Sequence, residues 1–155
     1  FMAGLDSGVE GWNIAYSPDL GVYPVQREVA AVVEEAVRAF EDAGARVIEV
    51  DLARQVVLLV DGGYVHSVFN ASTGDASHRT PRGKYRIFRQ INGLRVSPLG
   101  KLWRPKYFNG GIALHGSPSV PAYAASHGCV RLTNPEIDFL WGTAWGRIGT
   151  TVWVY

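Results

Sequence analysis

The sequence predicts a mostly β domain with α+β character, preceded by a strand–helix–strand extension. Three observations lead there. Runs rich in β-branched and aromatic residues flank Asp61-Gly62-Gly63 and Asn92-Gly93, turn residues that tolerate positive φ and so signal hairpins. One stretch, from Val25 to Phe40, repeats its apolar residues at helical rather than strand spacing. The 155 residues also hold 18 Gly and 8 Pro, a globular composition with many turns.

Taken in order, Trp12 to Tyr16 reads as a short strand, followed by a turn-rich stretch through Pro18, Asp19, Gly21 and Pro24. Val25, Val29, Val32, Val33, Ala36, Val37 and Phe40 then share one helical face, with charged residues opposite and Gly44 placed as a left-handed cap. Arg46 to Asp51 resumes a strand. Val56 to Val60 pairs with Tyr64 to Phe69, and Lys84 to Ile91 pairs with Leu94 to Val96, each across its glycine turn. Gly111 to Leu114 is a short apolar strand that leads into His115. Asn134, as N-cap before Pro135, opens a short helix carrying Ile137, Leu140 and Trp141, and Thr150 to Tyr155 closes the chain as a strand.

Composition excludes several classes of function. Fifteen Lys and Arg against 14 Asp and Glu leave a formal charge of +1, which gives no electrostatic reason to expect nucleic acid. No apolar run approaches the roughly 20 residues a membrane helix needs. A secretory signal is missing, and Phe1 suggests a trimmed start. Cys129 is the single cysteine, so no internal disulfide forms, and a lone cysteine is most often a small core hydrophobe.

Its neighbours argue otherwise. His115-Gly116-Ser117-Pro118 is followed, after a compact loop, by Ser126-His127-Gly128-Cys129-Val130-Arg131. A thiol attacks as its thiolate, and His115, at the end of a strand, can take the thiol proton and return one to a leaving amine. Gly128 lets the backbone approach a substrate and turn successive amides toward a developing oxyanion. Arg131 offers a forked donor set to a substrate carboxylate. Blander readings stand beside these. His66 and His78 read as structural histidines, and Arg131 also fits a surface ion pair. His115, His127 and Cys129 admit a zinc site with an Asp or Glu as fourth ligand, although a second Cys is absent and no carboxylate is obviously placed.

The segment YFNGGIALHGSPSVPAYAASHGCVRLTNPEIDFLW closely resembles the active-site signature of L,D-transpeptidase catalytic domains. Upstream, IEVDLARQVVLLVDGG resembles that family's opening hairpin. Ser72-Thr73-Gly74 and Thr80-Pro81-Arg82-Gly83 resemble its STG and TPxG elements, and RQINGLRVSPLGKLWRPKYF resembles the stretch before the site in actinobacterial-type members. The resemblance covers about residues 47–155. One departure is the loop from His115 to Ser126, shorter than the broadest family pattern, which bears on the acceptor side and not on the chemistry.

The resemblance implies a mixed β-sandwich with a short helix after the catalytic Cys, and a ping-pong acyl transfer without metal or organic cofactor. Cys129 is the implied nucleophile on a peptidoglycan tetrapeptide stem, and His115 the base. His127, Gly128 and Cys129 are the implied oxyanion donors. Ser126, Arg131, Gly116 and, more weakly, Tyr107 are implied around the substrate. The thioester passes to a diamino-acid acceptor, giving a 3–3 cross-link, or to water in the related L,D-carboxypeptidases. Carbapenem β-lactams are the implied inhibitors, and the cell wall or periplasm, outside the cytoplasm, the implied location.

The division expected is residues 1–45 as a non-catalytic segment and 46–155 as the catalytic domain. Up to about residue 52, GWNIAYSPDLGVYPVQREVAAVVEEAVRAFEDAGARVIEVDL resembles a strand–helix–strand segment of amidase-signature hydrolases, without their Ser-Ser-Lys elements. That juxtaposition suggests a recombined or engineered chain, with a diverged natural extension as the alternative. The helix is expected to bury its apolar stripe on the sheet or in self-association. Two further functions compete: a cell-wall binding or scaffold protein with impaired catalysis, and amidase-type hydrolysis.

Overall fold

The computed structural model describes residues 26–42, 46–98 and 100–155. The expected strand at Trp12–Tyr16, the turns through Pro24 and the Gly44 cap lie outside the described residues. Helix α1 (Arg27–Asp42) forms where the apolar period demands it. Of its apolar stripe, Val29, Val32 and Val33 are 49%, 66% and 40% exposed.

The rest is two five-stranded sheets around one core. The first sheet runs β3-β2-β1-β10-β4, comprising β1 (Val47–Asp51), β2 (Val56–Asp61), β3 (Tyr64–Asn70), β4 (Gly83–Arg86) and β10 (Thr151–Val154). All its pairs are antiparallel except β1 with β10. The second contains β5 (Arg89–Gln90), β6 (Leu94–Ser97), β7 (Gly100–Asn109), β8 (Ile112–Gly116) and β9 (Val130–Leu132). It runs β5-β7-β8-β9, with β6 also on β7 and β8 parallel to β9. Ile48, Val50, Val57, Leu59, Val152 and Val154 face Phe108, Leu114, Val130 and Leu132 across the core. Each such side chain contributes about 1.5–3 kcal/mol by leaving water.

Helix α2 (Asn134–Gly142) closes the core with Ile137 and Leu140. Its N-cap is Thr133, one residue earlier than expected. Thr133 accepts from the Glu136 amide while Glu136 accepts from the Thr133 amide at 2.7 Å, a reciprocal box that outcompetes Asn134. Buried Lys106 on β7 donates to Gly146 O at 2.6 Å and Gln90 Oε1 at 2.9 Å. Its ammonium lies 3.9 Å from the Trp141 ring centre.

Two expectations about strand pairing change. The Asp61-Gly62-Gly63 hairpin forms, both glycines having positive φ. Lys84 to Ile91, expected as one strand, is instead β4 and β5 in different sheets. Ile87 N–H bonds Thr150 of the first sheet's side and Phe88 N–H bonds Tyr107 of the second. Asn92-Gly93 consequently does not close a hairpin, because β5 and β6 lie end to end along β7. The true hairpin is β6–β7, joining Ser97 to Gly100. The length of β7 is masked in sequence by Pro105, beside Arg104 at φ 48° and a register shift in the pairing with β8.

Candidate active site

Parallel pairing of β8 and β9 sets His115 beside Arg131 and Leu114 beside Val130. Cys129, the residue before β9, therefore lies against the start of β8. Its Sγ points at Gly111 O, 3.8 Å away, and takes a hydrogen bond from the Ala113 amide. His115 is two residues beyond Ala113 on the same strand face, roughly 6.7 Å along. Cys129, His115, Ser126, His127, Arg131 and Tyr107 all line one cleft of about 570 Å³, whose far wall is the β6–β7 hairpin.

The loop that carries the cysteine is held by two hydroxyls. Ser126 Oγ accepts the Gly128 amide at 3.1 Å and donates to Cys129 O. Thr80 Oγ1 donates to Gly128 O at 2.8 Å and accepts the Gly74 amide at 2.9 Å. Main-chain pairing adds to this: Ser72 and Arg131 exchange both bonds, Ser126 N–H reaches Thr73 O, and Asp75 N–H reaches Ser126 O. Gly128 sits at φ 103°, where a side chain is strained whatever the space, and this is the turn that presents Cys129.

Electrostatics favour a neutral resting pair. Burial pushes the His115 pKa below its ordinary value, outweighing the hydrogen bond to Gly116 O, and the Arg131 charge lowers it further. Burial likewise pushes the Cys129 thiol up, against the lowering effects of the Ala113 amide and Arg131. His115 Nδ1 lies 2.9 Å from Gly116 O. A carbonyl only accepts, so Nδ1 carries the hydrogen and Nε2 keeps its lone pair. Both shifts favour the uncharged forms, the thiol and the neutral imidazole.

One residue takes another place than the sequence reading gave it. Gly116 does not line the cleft. It is buried under α2, where a Cβ would stand 2.6 Å from Asn134 Oδ1, 2.8 Å from Ile137 Cγ2 and 2.9 Å from Trp103 Cδ1. Gly128 is buried beside the cleft, and its amide donates to Ser126 Oγ at 3.1 Å. His78, read as a structural histidine, lies beside the cysteine loop. Its ring centre is 4.6 Å from that of exposed His127, and its Nδ1 is 3.2 Å from Asp75 Oδ1. The sequence reading missed the cations Arg89, Arg95 and Lys101 of the cleft wall, since nothing in their spacing places them near Cys129. Among the described residues Arg131 forms no ion pair, and His66 packs on Trp145, outside the cleft. Among the described residues no three His, Cys, Asp or Glu side chains are grouped to hold a metal.

A family model described as the L,D-transpeptidase catalytic domain matches residues 45–154. No curated protein matches the chain. Among solved structures, the L,D-transpeptidase of Xylanimonas cellulosilytica is 36% identical with a TM-score of 0.68, covering 89% of this chain and 76% of its own. An L,D-transpeptidase of Stackebrandtia nassauensis is 24% identical at TM-score 0.64, covering 87% and 71%. The LD transpeptidase LdtMt1 in complex with imipenem is 19% identical at TM-score 0.61, covering 73% and 60%. The last two share the fold.

Proposed function

Since this chain belongs to the family of L,D-transpeptidase catalytic domains, we propose that it cross-links peptidoglycan through a thioester on Cys129. The observation that carries this reading is the thiol of Cys129 seated on β8 beside Ala113, two residues from His115, within one cleft. His115 takes the thiol proton as Sγ adds to the carbonyl of the third stem residue. The amides of His127, Gly128 and Cys129 receive the oxyanion, that of Gly128 by exchanging its bond to Ser126. Collapse expels the terminal D-alanine, whose nitrogen takes the proton back from His115. The side-chain amine of a second stem then attacks the thioester, giving a 3–3 cross-link and restoring the thiol. Ser126 keeps the loop in register, and Arg131 and Tyr107 contact the donor stem.

By the same reading, a carbapenem acylates Cys129, and the protein works outside the cytoplasm, where peptidoglycan lies. No helix among the described residues is long and apolar enough to cross a membrane. Residues 1–44 fall outside the family match. Their likeness to an amidase-signature segment, and a recombined or engineered join, remain our reading of them. The exposed valines of α1 suit self-association, which Val33→Asp would weaken in sedimentation.

Intact-mass spectrometry after incubation with a tetrapeptide stem tests the proposal. An adduct equal to the stem less D-alanine, absent in Cys129→Ala, is expected, followed by cross-linked dimer when an acceptor stem is supplied. Tripeptide alone would mark an L,D-carboxypeptidase, and no adduct on folded protein would remove the catalytic reading.

A further inference from the structure

The charged side chains that line the cleft are of one sign. Arg89, Arg95, Lys101 and Arg131 line it, and among the described residues no Asp or Glu does. The chain as a whole is only +1, so this is a local concentration rather than a general basicity. Among the described residues none of the four pairs with a carboxylate. Arg89 is held instead by its guanidinium over the Tyr107 ring, 4.0 Å from the centre, and Arg131 by its place in β9. Arg95 and Lys101 stand on opposite arms of the β6–β7 hairpin, in adjacent rungs of the ladder, where Arg95 pairs with Leu102 and Val96 with Lys101. Like charges gathered around one cleft repel each other, and an anionic ligand relieves that repulsion while forming charge-assisted hydrogen bonds.

We propose that Arg89, Arg95 and Lys101, together with Arg131, select stem peptides whose acidic residue and diamino acid keep free carboxylates over stems in which those groups are amidated. This rests on the transpeptidase reading above. Amidation removes charge with almost no change of shape, so apolar and steric contacts distinguish the two stems poorly. Paired cations distinguish them through lost attraction and through desolvation of unmatched guanidinium groups. The hairpin cations are exposed, so the effect is moderate and screened by salt.

The test compares L-Ala-γ-D-Glu-meso-diaminopimelyl-D-Ala with the same peptide amidated on both side carboxyls, measuring kcat/KM for Cys129 thioester formation. A preference of roughly tenfold for the free acid is expected at low salt, shrinking as ionic strength rises. In Arg95→Gln/Lys101→Gln the ratio should fall toward one, with an unchanged melting temperature showing that the exposed hairpin still folds. Equal rates, or faster reaction of the amidated stem, would overturn this inference and leave the transpeptidase reading standing. A salt-insensitive preference, or one that survives in the double variant, would overturn the assignment to these cations. Failure of both stems to acylate Cys129 would overturn the two readings together.

Discussion

The Thr80 hydroxyl donates to the Gly128 carbonyl at 2.8 Å across 48 positions of sequence, fixing the peptide that precedes Cys129. Thr80 is 3% exposed and also satisfies the Gly74 amide, so water cannot readily replace it. Thr80→Val keeps the shape but leaves both main-chain groups unpaired, for a stability loss of about 1–3 kcal/mol. Acylation of Cys129 should slow, and Thr80→Ser should restore much of it. Urea unfolding with carbapenem acylation rates checks both. Wild-type acylation in the valine variant would mean that the bond does not position the loop.

Gly116 is a packing residue. Gly116→Ala drives a methyl into Asn134, Ile137 and Trp103, with an expected cost of about 1–3 kcal/mol. Thermal unfolding should show the loss, while KM for the stem changes little at temperatures where the variant remains folded. A raised KM without loss of stability would restore Gly116 to the substrate.

Burial of His115 sets the acid side of the pH profile. With its pKa held below 6.5, the base stays neutral down to mildly acidic pH, and acylation should fall only as pH drops through that lowered value. Between the folded value and 6.5 the unfolded chain binds the extra proton, so His115 also withdraws stability as pH falls through that window. Rates from pH 5 to 9 test this, an acid limb at or above 6.5 being the contrary result. The raised Cys129 pKa predicts that iodoacetamide at pH 7 alkylates this thiol no faster than a free cysteine. Rapid alkylation would show an ion pair instead.

Lys106 gives an alkaline signature. Burial, aided by the Arg104 charge, lowers its pKa from 10.5 to about 8. Between those values the unfolded chain holds a proton that the folded chain has released, so stability from this group rises with pH. Melting temperatures of wild type and Lys106→Met should diverge in favour of wild type from pH 8 toward 10. Parallel profiles would show that the buried ammonium keeps its proton.

By itself the sequence determined helix α1, the β2–β3 hairpin and the residues grouped around Cys129, because all three depend on residues close along the chain. Periodicity, turn glycines and the His-to-Cys spacing are local signals. Only the tertiary structure decided that Lys84 to Ile91 divides between two sheets, since Ile87 and Phe88 choose partners at Thr150 and Tyr107, far off in sequence. It also decided that Gly116 lies buried under α2 and that Arg89, Arg95 and Lys101 line the cleft. Those outcomes follow from strand register and packing, which sum contacts between distant segments. A pattern along the chain carries no record of which segment will lie opposite.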